Sequence, residues 1–210
     1  MFEQLAKLNR LDIADIFYES LTTGAWWDKD AIAARSELAN VGSEHLEYTF
    51  EAALSRKRIQ IEPLDLSSDY HQTILKDWCA YRTAHAISVM AQNMSFMGHY
   101  VHAWRIVDCP PNELNENIGI YWTFNPNESV DPYCYWSLKS KSEATPIRVK
   151  ALIPIDGVDL QTTCLSLMCY MYGDAEQELR VLKGTRVMSV TATDFKTGEQ
   201  LVLPKQRWFA

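Results

Sequence analysis

Gly98-His99-Tyr100-Val101-His102-Ala103-Trp104-Arg105-Ile106-Val107 is the stretch on which the fold turns. Up to Gly98 the apolar residues recur with helical spacing. Beyond it they alternate, the period of a strand whose side chains point to opposite faces in turn. Upstream, the segment from about Ser68 to Met97 contains no Gly or Pro and is dense in Ala, Ile, Leu and Met, which predicts one long helix. Its Trp78, Met90, Met94 and Phe96 read as core. Earlier still, Ile13, Ile16, Phe17 and Leu21 form one helical stripe over Asp12 to Leu21. Asp28 caps an expected helix from about Lys29 to Asn40, and Ser43 with Leu46, Phe50 and Leu54 suggests another.

Downstream the strand pattern continues. Runs at Gly119 to Phe124, Arg148 to Ile153, Glu178 to Leu182, Thr185 to Thr193 and Leu201 to Leu203 are expected strands, and Lys196-Thr197-Gly198-Glu199 reads as a hairpin turn. Leu160 to Tyr170 fits helix or strand. A helical first half followed by a β-rich second half is an α+β arrangement. The expected division is a helical region over residues 1–97 packed on an α+β domain over residues 98–210.

The 210 residues are 47% hydrophobic and 22% charged, which suits a globular protein. A net charge of −7 argues against a surface made to grip nucleic-acid backbone. No apolar run is long enough to span a bilayer, and no basic-then-apolar leader is evident, so the expected location is the cytoplasm. Five cysteines without CxxC spacing fit a reducing compartment, as small buried hydrophobes. His99 and His102 alternate across a strand and so do not share a metal with Cys109; no metal is expected. No GxGxxG or GxxxxGK cradle and no nucleophile elbow is present.

Chemistry concentrates elsewhere. Glu176-Gln177-Glu178-Leu179-Arg180-Val181-Leu182-Lys183-Gly184-Thr185 sets two carboxylates two residues apart at the mouth of a strand, just after a turn marked by Gly173 and Asp174. Paired acids there suit proton transfer or cation stabilisation, although alternating charge also protects an edge strand from aggregation. Arg105 stands between Trp104 and Ile106 in an apolar strand. Facing inward, it needs a carboxylate of the protein or a bound phosphate, which its planar fork suits. Tyr121-Trp122-Thr123 forms an aromatic-aromatic-hydroxyl strand.

In this order, Arg105, Tyr121-Trp122-Thr123 and Glu176-x-Glu178 resemble the ADP-ribosyltransferase family, in the branch with an Arg, a Ser/Thr strand and a Glu-x-Glu. EQELRVLKGT is similar to that family's catalytic strand, and GIYWTFNPNESVDPYCYW to its central motif. The likeness spans roughly residues 99–205. It implies NAD as a substrate bound in a cleft of a mixed β-sheet, with no metal. Glu178 would stabilise the ribosyl cation, Thr123 would hydrogen-bond and orient Glu178, and Arg105 would hold a phosphate of NAD. Tyr121 or Trp122 would pack beside nicotinamide or support the fold. Glu176 would engage a guanidinium, making a target protein's arginine the expected acceptor, met by the Tyr170–Ala175 loop with Tyr172. A phage, bacterial or toxin setting fits such a modifier. The chain departs from the pattern in having Trp122-Thr123-Phe124 for a Ser-Thr-Ser cluster, and Arg180 where apolar residues are usual. Two other readings are a catalytically silent interaction module and an NAD glycohydrolase using the same site.

Overall fold

The computed structural model describes residues 5–23, 35–109, 111–126, 146–169, 177–195 and 197–210. Two compact units emerge, one of Ala6–Ser88 and one built mainly from Val89–Ala210.

In the first unit, helix α1 (Arg10–Thr23) starts where the Asn9 side-chain oxygen accepts the Leu11 backbone N–H at 3.2 Å. It buries Ile13, Ala14 and Phe17. Helix α2 (Arg35–Lys57) runs unbroken across the boundary at residues 40–43 between the two expected helices; the start of the first, with its cap Asp28, lies outside the described residues. Gly42 costs a helix interior only about 1 kcal/mol, too little to divide it. Helix α3 (Asp69–Asn93) carries His71, Ile74, Leu75, Trp78 and Cys79 at the spacing of one helical face, all buried. Phe17 and Trp78 stack at 6.1 Å. Phe50 and Leu54 of α2 are fully buried, each stabilising the fold by about 1.5–3 kcal/mol. Buried His71 lies 4.7 Å from the Phe50 ring and fastens the connecting loop. Its Nδ1 accepts the Asp65 N–H at 3.0 Å, so the proton sits on Nε2, which faces Glu62 at 3.3 Å.

The division between units falls inside α3, between Ser88 and Val89. The helix also ends earlier than its composition suggests, because Phe96–Met97 (β1) is drawn into pairing with Tyr100 and Val101. Gly98, at φ +60°, makes the turn between them.

The second unit is a sheet in the order β5-β3-β2-β4-β6-β7. Its strands are β2 (Tyr100–Asp108), β3 (Tyr121–Thr123), β4 (Pro146–Pro154), β5 (Glu178–Arg180), β6 (Arg186–Asp194) and β7 (Gln200–Leu201). β1 pairs with β2, and β8 (Trp208–Phe209) with β6. A mixed sheet was expected, but all the ladders among described residues are antiparallel. The parallel contact present is the isolated bridge Asn117↔Phe209. Residues 155–169 follow β4. They form a 3-10 turn (Ile155–Gly157) and helix α4 (Leu160–Cys169) that lead from β4 to the edge strand β5, which pairs antiparallel to β3. Leu160 to Tyr170, legible as helix or strand, is thus helical through Cys169, and Asp159 caps it by accepting the Thr162 N–H at 2.9 Å. The expected hairpin after β6 forms, with Asp194 N–H bonded to the Glu199 carbonyl and Gly198 at φ +73°.

Alternation sorts the sheet into two faces. Val101, Ala103, Ile147, Val149, Ala151, Ile153, Ala192 and Leu179 are essentially inaccessible and make the core face. Cys164 of α4 is likewise buried, and burial pushes its thiol up to about 12, as it does for Cys79 in the helical unit. The other face is more polar, with Thr123, Arg148, Lys150 and Thr191 beside buried Trp104 and Leu152, and it carries the candidate site.

Candidate functional site

Register defines the site. Glu178 pairs with Thr123, Thr123 with Trp104, Trp104 with Lys150 and Lys150 with Thr191. Residues directly opposite across a ladder point to the same side, so these five form one row on the polar face. Beside them, Arg180 pairs with Tyr121, and Ile106 pairs with Arg148, which pairs with Thr193. The partners on the other face are Trp122 with Leu179 and Arg105 with Val149.

Glu178 sits at the start of β5 with its side chain 20% exposed. Ser166 of α4 donates to its Oε1 at 3.3 Å, and an Arg180 Nη lies 3.6 Å from the same oxygen. Arg180 is buried, and its guanidinium is 3.9 Å from the centre of the Tyr121 ring. The planar cation thus stacks on an aromatic face while one nitrogen meets the acid, an arrangement lysine cannot reproduce. Tyr121 remains exposed.

Thr123 pairs with Glu178 across the ladder. Its hydroxyl donates to the Gln177 carbonyl at 3.3 Å and accepts the Asn125 N–H at 3.1 Å. The backbone immediately before the acid is therefore pinned to β3. Gln177 takes φ +38°, a left-handed conformation that costs a non-glycine residue about 1–2 kcal/mol. Its side chain is buried, and its Oε1 has no hydrogen-bond partner among the described residues.

Two expected site residues lie elsewhere. Arg105 springs from the face opposite Glu178, and its Nη1 donates to the Tyr121 carbonyl at 2.9 Å. Gly119, at φ +96°, leaves room for that guanidinium: a Cβ there would meet Nη1 at 2.7 Å. One alternation step separates Arg105 from the acid's face, and its fork serves the entry to β3. Trp122 is buried on the same opposite face, its indole N–H donating to the Gly119 carbonyl at 2.7 Å. Of the two roles left open for that ring, support of the fold describes it. Glu176 and the Tyr170–Ala175 loop with Tyr172 lie outside the described residues.

The polar face is also more basic than the sequence suggested. Lys150 is exposed, with its ammonium 5.7 Å from the Trp104 ring centre. His102, on the same face, stacks on Trp104 at 6.1 Å. Burial and the nearby Lys150 charge hold the imidazole below its ordinary pKa. Arg148 donates to the Pro126 carbonyl. Sequence reasoning missed Lys150, Arg180 and Ser166. The signal for the first was the Arg148-x-Lys150 alternation within an expected strand, but only the register relates it to Glu178.

Compared with known proteins, the chain matches no family profile, no curated protein and no solved structure. No described helix is long and apolar enough to cross a membrane. Among the described residues, no group of three or more His, Cys, Asp and Glu side chains could hold a metal ion.

What remains is a carboxylate held by a hydroxyl and a stacked guanidinium, flanked by a threonine and an exposed tyrosine, at one end of a polar row with an ammonium further along. A carboxylate so held is suited to stabilise a cation developing on a bound substrate.

Proposed function

We propose that the chain cleaves NAD at the bond between nicotinamide and ribose and transfers ADP-ribose to a protein, with arginine the expected acceptor. The observation that carries this reading is Glu178 held by Ser166 and Arg180 beside Thr123. In the reaction the C1′–N bond breaks and its electron pair leaves with nicotinamide. The ribosyl cation faces the Glu178 carboxylate, and an acceptor nitrogen forms the new bond to C1′. Glu176, by resemblance, takes the proton that the guanidinium must lose in order to attack. Tyr121 offers an exposed ring on the acid's face for the nicotinamide.

The test is incubation with labelled NAD and a cell lysate, following label transfer and nicotinamide release together. Glu178→Gln should abolish both, with its circular dichroism unchanged. Glu176→Gln should reduce transfer to arginine while sparing nicotinamide release; equal loss of both would refute the division of labour. Release without transfer identifies an NAD glycohydrolase. If the wild-type chain neither binds nor cleaves NAD, the reading fails in favour of a silent interaction module.

A further inference from the structure

The resemblance assigns the substrate's phosphates to Arg105, but that residue leaves the sheet on the face away from Glu178 and is seated against Tyr121 and Gly119. A dinucleotide whose ribose reaches Glu178 needs cations on the acid's own face. In the row of Glu178 and the row beside it stand three cations, Arg148, Lys150 and Arg180, against one carboxylate, Glu178. In a chain of net charge −7 this is a local reversal of sign, and such a surface attracts a polyanion. The three differ in availability. Arg180 is buried between Tyr121 and Glu178, and Arg148 is bonded to the Pro126 carbonyl. Lys150 is exposed.

Its position fits as well. From Glu178 the row crosses Thr123 and Trp104 before reaching Lys150, three strand spacings or about 14 Å of backbone. The flexible lysine stem shortens that gap. Its ammonium is held over Trp104, on the path toward the acid. Thr191, exposed and next in the row, adds a hydroxyl donor beside it.

We infer that Lys150, with Thr191, binds the pyrophosphate of a dinucleotide laid along the row Thr191–Lys150–Trp104–Thr123–Glu178. This rests on the NAD-cleaving reading for the orientation of the ligand, but the anion site is testable by itself. ADP-ribose binding to the full chain is measured by calorimetry at low salt, and NAD cleavage is measured in parallel. Loss of one charged phosphate contact should weaken ADP-ribose binding about tenfold or more in Lys150→Gln, while Lys150→Arg keeps most of the affinity. Thr191→Val should lower it less, by roughly threefold. Raising the salt concentration should weaken the wild-type chain and leave Lys150→Gln less affected. In cleavage, Lys150→Gln should raise KM for NAD by a similar factor at nearly constant kcat.

Wild-type protein that does not bind ADP-ribose, or Lys150→Gln that binds it as tightly as wild type, overturns the inference. Binding that depends on Lys150 without any nicotinamide release leaves the anion site standing and removes the catalytic reading. Cleavage with an unchanged KM in Lys150→Gln does the reverse.

Discussion

Gly157 approaches Thr185 too closely for any other residue. A Cβ built at Gly157 would lie 2.2 Å from Thr185 Cγ2, 2.8 Å from its Oγ1 and 3.1 Å from its Cβ. Carbon atoms settle at about 3.5–4 Å, so the alanine methyl needs more than an ångström of relief from one neighbour. Rotating Thr185 does not provide it, because a β-branched side chain fills two of its three staggered positions. The backbones must part, straining the Leu182 N–H bond to the Gly157 carbonyl (2.8 Å), which fastens the far end of the strand bearing Glu178. Overpacking costs about 1–3 kcal/mol and one weakened hydrogen bond about 1 kcal/mol, against a gain of about 0.4–1 kcal/mol from stiffening the unfolded chain. Gly157→Ala should therefore destabilise the sheet unit by about 2–3 kcal/mol. Thr185→Ala alone should cost about 0.5–1 kcal/mol, since its bond to the Gly157 carbonyl is long, at 3.4 Å. The double variant removes both γ atoms and leaves a Cβ–Cβ gap that closes within a few tenths of an ångström. It should be more stable than Gly157→Ala by about 1–2 kcal/mol, a coupling that additive sites do not show. Urea unfolding supplies the free energies, and hydrogen exchange at the Leu182 amide supplies the local readout. A Gly157→Ala change within 0.5 kcal/mol of wild type, or a strictly additive double variant, would refute the close approach.

Gly119→Ala meets both a left-handed backbone and the Arg105 guanidinium, and should cost about 1–2 kcal/mol by urea unfolding. At Gln177 the usual ranking should invert: glycine accepts φ +38° without strain, so Gln177→Gly should be more stable than Gln177→Ala by about 1 kcal/mol, and the opposite order would deny the left-handed turn. His102 should titrate by NMR below the ordinary 6.5, and Lys150→Gln should raise its pKa only part of the way, because burial is the larger cause. The unfolded chain then protonates His102 first, so this contribution to stability is intact above about pH 6.5 and is lost as the pH falls toward the folded value. His102→Gln should flatten that slope in pH-dependent unfolding.

The class of the fold was legible because Gly98 separates two periods, and both periods survive in three dimensions. The strands were found nearly where alternation put them, since burying one face constrains every second residue. Boundaries were less legible where a local signal competed with pairing: Phe96 and Met97 look helical by composition but satisfy their backbone against Tyr100 and Val101. For the site, Thr123 and Glu178 were placed together by a motif, whereas the cations were not. Arg105 was singled out as a charge among apolar neighbours, a pattern blind to which side of the sheet it occupies. Lys150 looked ordinary because its relation to Glu178 passes through pairings between strands far apart in sequence, and Arg180 stood out only as a charge in an apolar pattern, not as a partner of the acid.

Two sequestered sulfhydryls, Cys79 among the helices and Cys164 on α4, make the chain its own folding reporter. With a pKa near 12, roughly one thiol in 10⁵ is ionised at pH 7, and neither is accessible until its surroundings open. Variants retaining one or the other would let a maleimide clock the breathing of each unit separately. A ligand that tightens only the second unit would then slow the modification of Cys164 and leave Cys79 reacting at its former pace.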